Sequence, residues 1–338
     1  MSDRLRHVAG LLTQPWAITP DGFETVCAII DRRVAGVRLT DEQIHALIAE
    51  SRAEFESKHP SGAFPGGQSQ GSSLAVISIY GTILPRPVMD VSGGGGAPLT
   101  RFMDVFRQAD ADPSVSAILL DIDSPGGSVS MVAEAAAVIA SASTPTYAIA
   151  NTMAGSAAYY LASQADEVIA SPSALVGSIG VFARHVDISV ALQQEGVAVS
   201  LVSAGQFKTE GNQYEPLSDE ARAAMQVMVD EFYTQFVEAV AAGRGVSADD
   251  VRDGFGQGRM LTAYDALDAG MVDRVESFDA TVSRLLAAPP LRSGGLLGTS
   301  ATAVLGDAKT SPDSPADTAS GADKPAHGAR IARIQRGL

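Results

Sequence analysis

The sequence predicts a layered α/β domain with a mostly parallel sheet, and three observations predict it. Apolar runs of strand length recur at 74–79, 117–120, 148–150 and 168–170. Stretches with helical spacing of apolar residues alternate with them, at about 99–109 and 129–142. A glycine turn, Ser124-Pro125-Gly126-Gly127, joins one strand directly to the helix that follows it. Strand, turn and helix repeating in that order is the rhythm of parallel strands covered by helices.

The elements follow in order. Residues 1–70 read as a helical extension ending in a linker. Phe23, Val26, Cys27, Ile30 and Val34 share one helical face, and Thr40-Asp41-Glu42-Gln43 is a capping box opening a second helix. The core opens with the run 74–79, and the helix near 99–109 turns Phe102, Val105 and Phe106 inward. Between them the glycines at 93–96 lack the Gly-Lys-Ser/Thr of a phosphate loop and read as a flap or a plain loop. Val199-Ser200-Leu201-Val202 is strand-like. Ser218 then caps a long helix to about residue 242, whose stripe of Met225, Met228, Val229, Phe232, Phe236 and Val240 suits core or subunit contact. Thr262 caps a last short helix stopping at Gly270. From 279 to 338 the chain becomes rich in Ala, Gly, Ser, Pro and Asp, a composition expected to stay disordered, and it ends in a short basic tip.

Composition narrows the function classes. With 46% apolar residues the chain can pack a sizeable core. One cysteine excludes an internal disulfide and any cysteine metal cluster, and five scattered histidines suggest no metal site, so neither metal nor cofactor is expected. No run is long enough for a signal peptide or a membrane span, so a soluble, cytoplasmic protein is expected. Up to residue 278 there are 17 basic and 34 acidic residues, which argues against nucleic-acid binding.

The chemistry-bearing stretch is 151–180. Ser156 lies between Gly155 and two alanines at the start of an apolar helix, where neighbouring backbone N–H groups can face whatever its oxygen attacks. A simple helix cap is the plainer reading of such a serine. Upstream, Gly126 and Gly127 let the backbone approach a ligand closely and offer an N–H to a developing oxyanion. Of four lysines, Lys58, Lys208, Lys309 and Lys324, only Lys208 falls inside the expected core.

Three motifs in order, Asp123-Ser124-Pro125-Gly126-Gly127-Ser128-Val129, then Ala154-Gly155-Ser156-Ala157-Ala158-Tyr159-Tyr160, then Ala174-Leu175-Val176-Gly177-Ser178-Ile179-Gly180-Val181, resemble the signal peptide peptidase A family of serine peptidases, family S49. The resemblance covers residues 72–278 and implies the ClpP/crotonase fold. It also implies a Ser-Lys dyad, with Ser156 as nucleophile, Lys208 as general base, Ser178 holding the lysine amine, and the Gly127 and Ala157 amides as the oxyanion hole. A lysine is a base only when neutral, and a free ammonium is neutral in roughly one molecule in a few thousand at pH 7, so such a base needs a desolvated pocket.

Many relatives carry glycines where Ala157 and Ala158 stand; alanine retains the N–H. Pro15-Trp16-Ala17-Ile18 and the helices after it resemble the start of phage-encoded members acting as head maturation proteases. That branch implies polypeptide substrates, scaffold and capsid proteins among them, self-cleavage and a homo-oligomer. Four alternatives stand beside it: a Ser156-His185-Asp187 triad, a cytoplasmic signal-peptide-peptidase-like protease, a crotonase-type acyl-CoA enzyme, and a non-catalytic capsid protein on the same fold.

Overall fold

The computed structural model describes residues 14–34, 68–69, 72–86 and 96–287. Strand β1 (Trp16–Ile18) leads into helix α1 (Pro20–Val34). After β2 (Gln68–Ser69) come β3 (Ser72–Tyr80), β4 (Ile83–Leu84), β5 (Ala97–Pro98) and α2 (Leu99–Ala111). The central unit runs β6 (Val115–Ser124), β7 (Gly126–Ser128), α3 (Val132–Ala140), β8 (Thr146–Gly155), α4 (Ala157–Ala162), β9 (Glu167–Ala170) and β10 (Leu175–Gly177). The short α5 (Ser189–Gln194) precedes the long α6 (Asp219–Arg244), then α7 (Ala248–Gly254), β11 (Met260–Thr262), α8 (Ala263–Asp268), β12 (Arg274–Val275) and α9 (Phe278–Ala287).

The expected layered α/β architecture is the one observed. The main sheet runs β11-β10-β8-β6-β3-β2, with β9 beside β8 and β12 beside β9. Pairings among β3, β6, β8, β9, β10 and β12 are parallel, and only the outer β2 and β11 are antiparallel to their neighbours. Ile118, Leu119, Leu120 and Ile122 of β6 are all fully buried, as a strand covered on both faces requires. On one face Phe102, Phe106, Ile139, Tyr159 and Phe236 form the main core; on the other Leu74, Leu119, Ile149 and Leu285 form a second layer.

Strand β8 divides along its length. Residues 147–150 pair with β9, whereas 153–155 pair with β10, and the register with β6 shifts between Ile122 and Asp123. This change of neighbour brings Gly177 alongside Gly155, at the point where β8 ends and the apolar helix α4 begins.

Several expectations need correction. The stretch 199–202 forms no strand: residues 197–203 are irregular and exposed, because no neighbouring strand takes their backbone groups. The turn at Gly126 and Gly127 is itself strand, held in a small sheet ordered β1-β7-β4-β5, and the helix after it starts at Val132. The folded domain passes the boundary placed at 278, since α9 continues to Ala287 with Thr281 and Leu285 buried. The capping box at Thr40, Lys58, the glycines at 93–95 and the tail beyond 287 lie outside the described residues.

Candidate active site

Ser156 sits at the junction of β8 and α4 with φ 53° and ψ −117°. A positive φ at a non-glycine residue is a strained conformation found disproportionately at functional positions. It is held from both sides: the Ser156 N–H donates to Gly177 O (2.7 Å), and the Ser156 carbonyl accepts from Tyr160 N (3.0 Å). The side chain makes no capping bond to α4. Its Oγ instead donates to the Gly180 carbonyl at 3.3 Å, which separates Ser156 from an ordinary helix cap. The residue is fully buried.

The glycine strand lies against this turn. A Cβ on Gly127 would meet Ile83 O at 1.9 Å, so position 127 admits nothing larger than glycine. Gly126 has φ +97°, and a Cβ built there would lie 2.8 Å from Gly155 O and 3.0 Å from Ala157 N. Those short distances bring the Ala157 amide beside β7. As the first residue of α4, Ala157 has an N–H without a helical acceptor. Gly126 and Ala157 are thus neighbours in space, which sets the Gly126-Gly127 strand beside the start of α4.

Ser178 follows β10 with φ 55°, is buried, and its N–H donates to Arg259 O (2.8 Å). Lys208 lies elsewhere in character: it belongs to an exposed irregular stretch, its N–H donating to Gly205 O (3.2 Å). In the described arrangement the partner of Ser156 Oγ is the Gly180 carbonyl and not the lysine amine. His185 also points its ring elsewhere, with Nε2 2.9 Å from Asn212 O, while Asp187 accepts from the Ser189 N–H at 2.8 Å. The triad alternative therefore loses its geometry.

Sequence reasoning missed two parts of this site. One is Gly180, whose carbonyl receives the serine hydroxyl; a backbone acceptor leaves no side-chain signal. The other is β1, which pairs antiparallel with β7 in the register Trp16↔Ser128, Ala17↔Gly127 and Ile18↔Gly126. The sequence reading noticed the Pro-Trp-Ala-Ile run but attached it to a separate extension.

A polar network supports the ends of the strands nearby. The buried Asp121 carboxylate accepts from Tyr80 OH and from Asn151 Nδ2 (3.2 Å), and Thr152 OH donates to Asp123. Burial first, and then the Asp121 charge, push the Tyr80 phenol well above its usual range, so it acts there as a permanent donor. Among the described residues no helix is long and apolar enough to cross a membrane.

Comparison with known proteins agrees with the geometry. The profile described as peptidase family S49 matches residues 139–289, which include Ser156, Ser178 and Lys208. Capsid assembly protease C of Escherichia phage lambda is 35% identical over 222 residues, 63% of this chain and 49% of that protein. Head-tail preconnector protein GP5 of Enterobacteria phage P21 is 32% identical over 219 residues, 63% of this chain and 42% of that one. Protease 4 of Haemophilus influenzae is 29% identical over 216 residues, covering 63% and 34%. The matched region spans half or less of the length of each of these relatives.

Proposed function

We propose, from the match of residues 139–289 to the peptidase family S49 profile, that the protein is a serine endopeptidase of the Ser-Lys type. Ser156 Oγ attacks the scissile carbonyl carbon while Lys208 Nζ takes its proton; the Gly127 and Ala157 amides hold the oxyanion. The protonated lysine then returns the proton to the leaving amine, and water hydrolyses the acyl-enzyme. The observation that carries this reading is the strained Ser156, presented at a strand-to-helix turn beside the Gly126-Gly127 strand.

Lys208 has to be brought over Ser156 for this chemistry, because a neutral amine needs a site screened from water. The exposed stretch that bears it contains Val199, Leu201, Val202 and Phe207, with Val202 99% exposed. Apolar side chains in a row favour association with protein surface, so assembly with further copies is the closing step that this reading assigns to the stretch. The two phage relatives favour a role in capsid maturation, with scaffold, capsid protein and the chain itself as substrates.

The test is intact-mass analysis of purified wild-type, Ser156→Ala and Lys208→Ala chains, each incubated alone and with scaffold protein. Wild type incubated with scaffold is expected to yield fragments that both variants lack. Identical fragments from all three would end the reading. A crotonase-type enzyme would leave a fluorophosphonate probe unattached, whereas the peptidase is labelled at Ser156.

A further inference from the structure

Strand β7 has two edges, and both are occupied. Ile83 of β4 pairs with Gly127 on one side, and β1 fills the other. A substrate chain that sets a carbonyl on the Gly127 amide must use the edge that β1 now holds.

The N-terminal strand lies there as a substrate would lie. Trp16 exchanges two hydrogen bonds with Phe182, its N–H to Phe182 O at 2.8 Å and Phe182 N–H to its carbonyl at 3.0 Å. Residues 16–18 are therefore sandwiched between β7 and the segment that follows Gly180, the acceptor of the Ser156 hydroxyl. Successive residues of a strand turn their backbone groups to opposite edges. With Trp16 facing Phe182, Ala17 faces its register partner Gly127, and Thr19 again faces this side, donating its N–H to Pro125 O at 2.8 Å.

The Ala17 carbonyl and the Ala157 amide both border Gly126. The same point, a Cβ position on Gly126, is 2.3 Å from Ala17 O and 3.0 Å from Ala157 N. Thr19 Cγ2 reaches 2.8 Å from a Cβ position on Gly155, the residue before the nucleophile. Trp16, Ala17, Ile18 and Thr19 are all buried, and Ser156 has no exposed surface.

We infer that the groove between β7 and residues 181–182 is the site for an extended polypeptide, and that the chain's own Trp16-Ala17-Ile18-Thr19 occupies it, holding the protein latent until displaced. This rests on the reading of Ser156 as nucleophile. Main-chain pairing with a sheet edge is a recurrent mode of peptide recognition, and it serves an intramolecular strand as well as an incoming one. The strand is also separable from the main core through most of its side chains. Trp16, Ile18, Phe23 and Cys27 form a small cluster of their own, packed against Phe182. The Trp16 indole N–H is buried without a hydrogen-bond partner, a penalty borne only in the docked state.

The experiment uses the full chain and its single tryptophan, Trp16, as reporter. Acetyl-Gln-Pro-Phe-alaninal, which copies residues 14–17 without tryptophan, is added to wild type. Binding is expected to shift Trp16 emission to the red and to raise its quenching by acrylamide at least threefold. In Ile18→Asp, which puts a carboxylate into the apolar cluster, the emission is already shifted and fluorophosphonate labels Ser156 at least tenfold faster than in wild type. The inference is overturned if wild type is labelled as fast as Ile18→Asp, or if the aldehyde blocks labelling while Trp16 emission stays unchanged. Millimolar acetyl-Gln-Pro-Phe-Ala-Ile-Thr amide added to Ser156→Ala separates the two readings. A red shift there with no fluorophosphonate labelling of any Ser156-containing form removes the nucleophile and keeps the occupied groove; no red shift removes the groove.

Discussion

The proposed nucleophile, Ser156, and its proposed base, Lys208, sit in regions of opposite construction. Around Ser156 every neighbour is fixed: strands β6, β7, β8 and β10 converge, Gly127 has no room for a methyl group, and Tyr159 anchors α4 by donating to Met271 O at 2.9 Å. Around Lys208 the chain is exposed and irregular, and the first half of α6 continues that exposure, with Val227 and Met228 open to solvent. The same helix becomes core further on, where Phe236, Val237 and Val240 are buried. Under the proposed mechanism, the contrast means that the serine and its backbone surroundings are preorganised within one chain, whereas the proton-transfer step would depend on what closes over Lys208.

The sharpest way to break this comparison is to delete each half separately. Ser156→Ala and Lys208→Ala are each expected to lower peptide hydrolysis by about 10³-fold or more. Their stabilities should diverge. Lys208→Ala, at an exposed position, should leave the unfolding free energy within about 0.5 kcal/mol of wild type. Ser156→Gly should raise it by about 1 kcal/mol by relieving the positive φ, while losing activity. Denaturant unfolding beside a peptidase assay measures both, and a large destabilisation by Lys208→Ala would show that its stretch is as built-in as the serine turn.

Next in size is Gly127→Ala. The added methyl would lie 1.9 Å from Ile83 O, backbone against backbone, so β7 or β4 must move. A loss of about 3 kcal/mol or more is expected, as for overpacking without a flexible neighbour. An unchanged melting temperature would mean that the amide end of the site is softer than its packing implies.

How much of this was readable beforehand follows the same division. Runs such as 117–120 and 74–79 announce their strands because burial on both faces selects continuous apolar sequence. Gly127 was legible as a point of close approach because only glycine fits there, whereas Ser156 was singled out by its place at a helix start and by the resemblance, neither of which records its positive φ. Val199 to Val202 misled, since alternation of apolar residues signals a strand only when a partner edge exists to pair with it. The Phe278 boundary misled for another reason: α9 is ordered by packing Leu285 against Leu74 and Ile149, a tertiary contact that composition does not record. Pairing of β1 with β7 joins residues over a hundred positions apart, and short strands carry no mark of their distant partner.

Smaller effects sharpen the contrast inside the fixed region. Tyr159→Phe removes the buried hydroxyl and leaves Met271 O without that donor, at an expected cost of about 1–2 kcal/mol. It should slow catalysis only in proportion to any shift of α4, and hydrogen exchange of the α4 amides would read that shift.

The smallest effect is pH-dependent and tests how the second half of α6 is tied down. Arg244, in the last turn of α6, donates to Asp273 Oδ1 at 2.6 Å and Oδ2 at 2.9 Å, and Asp273 also accepts from the Val168 N–H at 2.8 Å. Burial alone would raise the Asp273 carboxyl, but the Arg244 and Val168 bonds outweigh it and hold the group below its usual range. A carboxylate with a depressed folded-state pKa stabilises the fold fully above its unfolded value near 3.9, and that contribution is lost as pH falls through the lower folded value. The carboxylate is partly exposed, so Asp273→Asn should cost only about 1 kcal/mol at pH 7. The gap in melting temperature between wild type and Asp273→Asn should then narrow as pH drops from 5 toward 3. A gap that stays constant over that range would show that the helix end is held by packing of Phe236 and Val240 rather than by charge.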